Sequence, residues 1–321
     1  MSKSATHLAQ SEIVEQIPLA CADESAALAL FEAQRWGDTP CCVHCGDTDV
    51  YTIMDRTTGK RRTDGRWRCR GCGKQYTVRV GQIMEDSPIP LRKWAYAFWC
   101  AASAKNGVSA LEMSRKVQVT YKSALYMMNR IRWAMRPTDP QSKLDGTVEV
   151  DETYVGGRRR GNKRGRPGPA SHKTPVLALV QRGGHVRAAV VANVTAKTIG
   201  PILRANVSDG STIVTDDFSI YPSVARAIGR HQRVRHSTGE YVNATDPTIH
   251  TNTIEGFFSR IKRQIGGTYH AVSKTHLHRY VTHAAYLYNG RAMNDGERLT
   301  HLIRSADGKR LTYAEATLKA A

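Results

Sequence analysis

The chain has 321 residues, enough for two or three domains, one of them with a substantial core. Its 47 Lys and Arg against 28 Asp and Glu leave a formal charge of +19, and like charges repel in a compact state, so the imbalance points to a polyanionic partner, most commonly nucleic acid. No apolar run reaches the ~18–20 residues needed to span a bilayer, and no basic region followed by an apolar core opens the chain; a cytoplasmic, nucleoid-associated bacterial protein is the expectation.

Residues 1–37 run against the average, with five acids and only Lys3 and Arg35 as bases. Within them, 21–35 has helical spacing, with Ala27, Leu28, Leu30 and Phe31 on one side. Pro40 then opens a ribbon, 38–82, built around Cys42-x-x-Cys45 and Cys69-x-x-Cys72. Each pair ends in Cys-Gly, a knuckle in which backbone amides turn toward thiolate sulfur, and two knuckles close a tetrahedral Zn²⁺ site. All four ligands come from protein, so the zinc is structural and replaces a core that some forty residues cannot build alone. Seven cysteines with this spacing fit metal binding in reducing cytosol better than a disulfide framework; Cys21 and Cys100 read as core, Cys41 breaks the register and His44 faces out. Seven Lys and Arg between or within the knuckles suggest phosphate contact.

Between residues 88 and 137 three helices follow in close order: one after Pro90 carrying Trp94, Ala97, Phe98 and Ala101, a second capped by Ser109, and a third capped by Thr120. This predicts a helix-turn-helix segment, whose third helix turns Lys122, Asn129, Arg130 and Arg132 outward, with Lys122 and Arg130 as DNA contacts.

From Thr147 the pattern changes to strands: TVEVDETYV, TPVLALVQRGG and HVRAAVVANV, the last two joined by a Gly183-Gly184 hairpin turn. A helix at about 198–207, a strand at 211–215, a helix near 221–228, a strand around 233–236 and helices near 253–265 and 274–288 complete the region. Asp151 lies in the first, apolar-flanked strand, where a carboxylate is costly unless paired or bound to metal. Asp216 ends a short apolar strand, and Glu255 sits beside the core stripe of the helix at 253–265, in line with Ser259 and Lys262. Two Asp and one Glu from two strands and a helix can hold two Mg²⁺ (or Mn²⁺) ions. Glu149 and Glu152 rival Asp151, and Asp217 rivals Asp216; on an alternating strand Glu149 shares the face of Asp151 while Glu152 points away.

The stretches VEVDETYVGG (148–157), VTDDFSIY (214–221), HTNTIEGFFSRIKRQIGGTYH (250–270) and RY followed by YNGR (279–291), with the front end FEAQRWGDTPCCVHCG, resemble the DDE transposases of the insertion-sequence fifteen-ninety-five family. The resemblance implies an α/β, ribonuclease-H-like catalytic domain, a mixed sheet flanked by helices, over 145–291, with Asp151, Asp216 and Glu255 as the metal-binding triad and Lys262 as a basic residue near the DNA. Asn252 rivals Glu255, because some relatives carry Asn as the third member; Phe258 stands where the family shows Trp, and His283 where an acid is common. The implied reaction is metal-dependent cleavage at transposon ends followed by 3′-hydroxyl strand transfer. The rivals are an inert, domesticated DNA-binding regulator and a nuclease of the same fold without strand transfer. Double-stranded DNA is the expected partner and a homo-oligomer on DNA the expected assembly, with no membrane and no small-molecule substrate.

Two features remain. Residues 158–168, RRRGNKRGRPG, contribute Arg158, Arg159, Arg160, Lys163, Arg164 and Arg166 with no acid, and Arg164-Gly165-Arg166-Pro167 looks like an arm for the minor groove of A·T-rich DNA. Among the histidines, His250 is the preferred candidate to line the site, and residues 292–321 read as a C-terminal tail.

Overall fold

The computed structural model describes residues 11–137, 142–156, 173–235, 242–312 and 315, which divide into two compact units. The first takes residues up to 138 together with 292–319; the second takes 139–291.

The first unit opens with α1 (Ser11–Ala22) and α2 (Glu24–Trp36). The Asp23 carboxylate accepts from the Ala26 amide at 2.8 Å to start α2, and Gly37, at φ 58°, ends it where a side chain would be strained. The ribbon is a three-stranded antiparallel sheet of β1 (Val50–Thr52), β2 (Trp67–Cys69) and β3 (Gln75–Tyr76). So little sheet builds a small core of Cys42, Cys69 and Tyr76, with Trp36 and Trp67 packed against them. Glu32 ties α2 to the ribbon, accepting from Arg61 Nη1 at 2.8 Å and Trp67 Nε1 at 2.7 Å.

Three helices follow: α3 (Leu91–Ser103), α4 (Ala110–Val117) and α5 (Tyr121–Ala134), the last two capped by Ser109 and Thr120. One expectation fails here. Arg130 does not face outward; it is buried, and its Nη1 donates to the carbonyls of Ile83 and Glu85 at 2.6 and 2.8 Å. Asn129 and Arg132 are buried too, whereas Lys122 is exposed. The cause is the irregular stretch before α3, whose inward carbonyls have no strand partner and take a guanidinium instead. The stretch expected as a tail contains a helix, α10 (Asp295–Arg304), with an Asn294–Glu297 capping box. Leu299, Leu302 and Ile303 have helical spacing and are buried, and the helix packs on α1, α2 and α3.

The second unit is a five-stranded mixed sheet flanked by helices, as a ribonuclease-H-like domain requires. Its strands are β4 (Thr147–Val155), β5 (Thr174–Gln181), β6 (Val186–Val190), β7 (Thr212–Thr215) and β8 (Arg230–Arg233), in the order β6-β5-β4-β7-β8. The β4–β5 and β5–β6 pairs are antiparallel; β4–β7 and β7–β8 are parallel. The last strand begins three residues earlier than its sequence suggests, because Arg230–Arg233 is a polar edge strand and the apolar signal, Val234, falls just after it.

Alternation along the strands builds two cores. Val148, Val150, Leu177, Leu179 and Ile213 pack with α6 (Ala196–Asn206) and α7 (Tyr221–Ala225). Val155, Val176, Ala178 and Val180 face α8 (Asn252–Arg263) and α9 (Leu277–Asn289) on the other side. A π-helical turn, Gln264–Tyr269, follows α8. Among the described residues no helix is long and apolar enough to cross a membrane.

Candidate metal centres and catalytic face

The ribbon's four cysteines come together. Cys42 Sγ lies 3.6 Å from Cys72 Sγ, and Cys45 Sγ 3.7 Å from Cys69 Sγ. A tetrahedral site with Zn–S bonds of about 2.3 Å needs sulfurs about 3.8 Å apart, so the quartet has the dimensions of a zinc cage. The knuckles work as their sequence implies: the amides of His44 and Cys72 each donate to a sulfur at 3.4 Å, and Gly46 and Gly73 take the positive φ of the turns. His44 points out against Tyr76, and neither it nor Cys41 belongs to the quartet. Cys100 is buried as expected, whereas Cys21 is half-buried; burial pushes the Cys21 thiol up to about 11, with the neighbouring Cys100 adding to the shift.

In the second unit the acids are distributed by strand register. Glu149 of β4 pairs with Val214 of β7 in parallel, and Asp151 and Asp216 each follow two residues further on, Asp216 just beyond the end of β7. Period-two alternation puts Asp151 on the face of Glu149 and Val155, which α8 covers. Glu255 lies in the first turn of that helix. All three are half-buried. Asp151 accepts from the Glu152 amide at 2.7 Å, Asp216 from the Phe218 amide at 3.1 Å, and Glu255 from Thr251 Oγ1 at 3.5 Å. Among the described residues the cysteine quartet is the one group of three or more potential ligands whose atoms all lie within 4.8 Å of one another. Asp151, Asp216 and Glu255 do not form such a group.

The rival acids are engaged elsewhere. Glu152 points to the opposite face and accepts from the Tyr221 hydroxyl. Glu149 is fully buried and surrounded by donors: Arg182 Nε at 2.7 Å, Thr253 Oγ1 at 2.8 Å and the Ile254 amide at 2.9 Å. His250, expected to line the site, belongs to this cluster, its Nδ1 being 3.4 Å from Glu149 and 3.2 Å from Arg182. Arg182 and Thr253 carry no sequence signal of their own, and alternation placed Glu149 only as a rival on the face of Asp151.

Asn252 opens α8 with an exposed side chain, and Lys262 is exposed in its last turn. Arg158, Arg159, Arg160, Lys163, Arg164 and Arg166, the expected arginine-glycine arm, lie outside the described residues, as does His236.

Comparison with known proteins gives a consistent picture. Residues 143–289 match the ISXO2-like transposase domain, and residues 22–75 match the transposase zinc-ribbon domain. A protein described as uncharacterized in transposable element ISH50 of Halobacterium salinarum is 28% identical over 273 residues, covering 80% of this chain and 88% of its own. Among solved structures, the simian T-cell lymphotropic virus intasome in complex with PP2A regulatory subunit B56 gamma aligns at 11% identity and TM-score 0.28, over 58% of this chain and 66% of that one. A pre-cleavage Mos1 transpososome aligns at 11% identity and TM-score 0.26, over 64% of this chain and 76% of that one. Scores this low leave the fold to be judged from the sheet itself.

Proposed function

From a chain that belongs to the insertion-sequence fifteen-ninety-five family of DDE transposases, we propose an enzyme that cleaves transposon ends and joins the freed 3′-hydroxyl to target DNA at one site. Asp151, Asp216 and Glu255 hold the metal ions. What supports this is the parallel register of Glu149 with Val214, from which Asp151 and Asp216 each follow by two residues, together with Glu255 in the first turn of α8, the helix packed on the sheet. Two bound Mg²⁺ or Mn²⁺ ions supply charge stabilisation and an activated water or hydroxyl. Both reactions are phosphodiester transfers, so no side chain becomes covalently attached.

The chain's own residues divide the remaining work. Lys262, two turns beyond Glu255 on α8, contacts a DNA phosphate. Asn252, exposed at the start of α8, is a polar contact beside the acids rather than the third ligand, because a carboxylate binds Mg²⁺ more strongly than an amide oxygen. The ribbon's zinc keeps its basic strands folded, and the exposed Lys122 joins them in backbone contacts. Cutting two ends together calls for a homo-oligomer on DNA.

The decisive experiment incubates the zinc-loaded chain with Mn²⁺ and DNA carrying the element's ends. Nicking that disappears in Asp216→Ala supports the reading. Nicking retained by that variant, or absent from the wild type, overturns it, and precut ends that fail to join would leave a nuclease.

A further inference from the structure

We infer that Glu149 is a positioning residue: a cap supplied by the sheet to α8, which sets Glu255 relative to Asp151. This rests on the two-metal reading of those acids.

A helix leaves its first amides without intrahelical partners, and a side chain at the N-cap ordinarily takes one of them. In α8 the N-cap residue is Thr251, whose side chain makes no capping hydrogen bond. The Ile254 amide donates to Glu149 Oε2 instead, across 105 residues of sequence. Thr253 Oγ1 donates to Oε1, so two successive residues of the first turn are fastened to β4. A carboxylate with zero exposure is costly unless its charge is answered, and Arg182 answers it through Nε at 2.7 Å. The same guanidinium donates to the carbonyls of Thr248 and His250, the stretch that leads into the helix. Arg182 is itself fixed to the sheet, its amide donating to the Thr147 carbonyl.

A cap supplied locally would stop the helix fraying but leave it free to slide over the sheet. A cap supplied by β4 fixes the helix to the strand. The fixed point is as near the proposed site as the chain permits: Glu149 precedes Asp151 by two residues on the same face, and Ile254 immediately precedes Glu255. A buried ion pair adds little net stability compared with apolar packing, but removing one partner leaves an uncompensated buried charge, so Glu149 and Arg182 hold each other in place. Glu149 does not compete for the ions, since its two oxygens already accept three hydrogen bonds.

The test uses the full-length, zinc-loaded chain, with Mn²⁺ uptake read by water-proton relaxation and amide hydrogen exchange read at Ile254. Glu149→Gln should weaken Mn²⁺ uptake by roughly tenfold or more, as loss of an outer partner of a metal ligand does. It should also speed exchange at Ile254 while Phe258 and Ile261 stay protected. The double variant Glu149→Gln with Arg182→Gln leaves no buried charge unanswered and guards against simple misfolding; it should show the same weakening. In a Glu255→Gln background, Glu149→Gln should add nothing further. Unchanged uptake despite faster Ile254 exchange overturns the inference, as does a loss that adds in full to that of Glu255→Gln. If Asp151→Asn and Asp216→Asn also leave uptake unchanged, the metal reading itself falls, while exchange at Ile254 still reports on the cap.

Discussion

The zinc ribbon and the proposed metal-binding acids of the second unit draw on the sequence in opposite ways. In the ribbon each pair of ligands lies within four residues of sequence, and the turns that aim them are local, so spacing almost dictates geometry. The acids proposed to hold metal, Asp151, Asp216 and Glu255, are spread over about a hundred residues, and their relative placement depends on strand register and on a helix fastened to the sheet. A local site depends on its metal for folding; a distributed site inherits its geometry from a core already folded. Removing ligands should therefore unfold the first and merely silence the second.

The sharpest way to break that contrast is to strip the zinc. Chelation, or Cys69→Ser, should unfold the ribbon, since structural zinc contributes on the order of 10 kcal/mol or more in domains with so small a core. Near-ultraviolet dichroism from Trp36 and Trp67, which pack edge-to-face at 5.8 Å, should collapse. The second unit should keep its own melting transition. A single shared loss of both would show that the ribbon is not the separately metal-dependent element described here.

Silencing comes next. Asp216→Ala should cut DNA nicking on the order of a thousand-fold, because metal-borne charge stabilisation is worth several kcal/mol. The thermal midpoint should barely move, because Asp216 lies beyond the end of β7 and carries no core packing. A large drop in stability would make this carboxylate structural.

Two smaller effects sharpen the comparison within the first unit. Leu302→Ala in α10 should cost about 2–5 kcal/mol, the usual range for a fully buried leucine, if residues 292–319 complete this core. Arg130→Ala should lower stability by about 1–3 kcal/mol through the carbonyls of Ile83 and Glu85 that it abandons. It should leave the salt dependence of DNA binding alone, whereas Lys122→Ala should reduce that slope by about one with stability unchanged. Equal slopes for the two variants would contradict the burial of one and the exposure of the other.

The same contrast explains what could be read in advance. The zinc site was legible because every determinant lies within its own loops. The acids of β4 were partly legible, since alternation alone sorts Glu149 and Asp151 from Glu152. The reason Glu149 is buried was not legible, because its partners, Arg182 and Ile254, become neighbours only once β5 and α8 are in place. Arg130 failed for a related reason: helical spacing locates a residue on a helix but does not reveal that nearby carbonyls need a donor. The helix at Asp295–Arg304 was written in the spacing of Leu299, Leu302 and Ile303, which the sequence reading passed over in expecting a tail.

The smallest effect concerns the strand beside Asp216. Thr215, immediately before it, donates its hydroxyl proton to the Asp216 carbonyl at 2.7 Å. Its oxygen therefore accepts from His231 Nε2, 2.9 Å away on β8, which fixes the histidine tautomer. Burial, then the charges of Arg233 and Arg226, push the His231 pKa down to about 4 from an ordinary 6.5. The folded chain thus keeps the ring neutral where the unfolded chain would protonate it. Between pH 6.5 and 4 the unfolded state binds the extra proton, so stability should fall as pH falls through that window and level off on either side. His231→Gln retains a donor and cannot titrate, so the difference in urea midpoint between wild type and variant should slope across that window alone. Because the ring is only partly shielded from water, the slope should be shallow; a parallel pair of curves from pH 7 to 4 would mean that the imidazole titrates alike in both states.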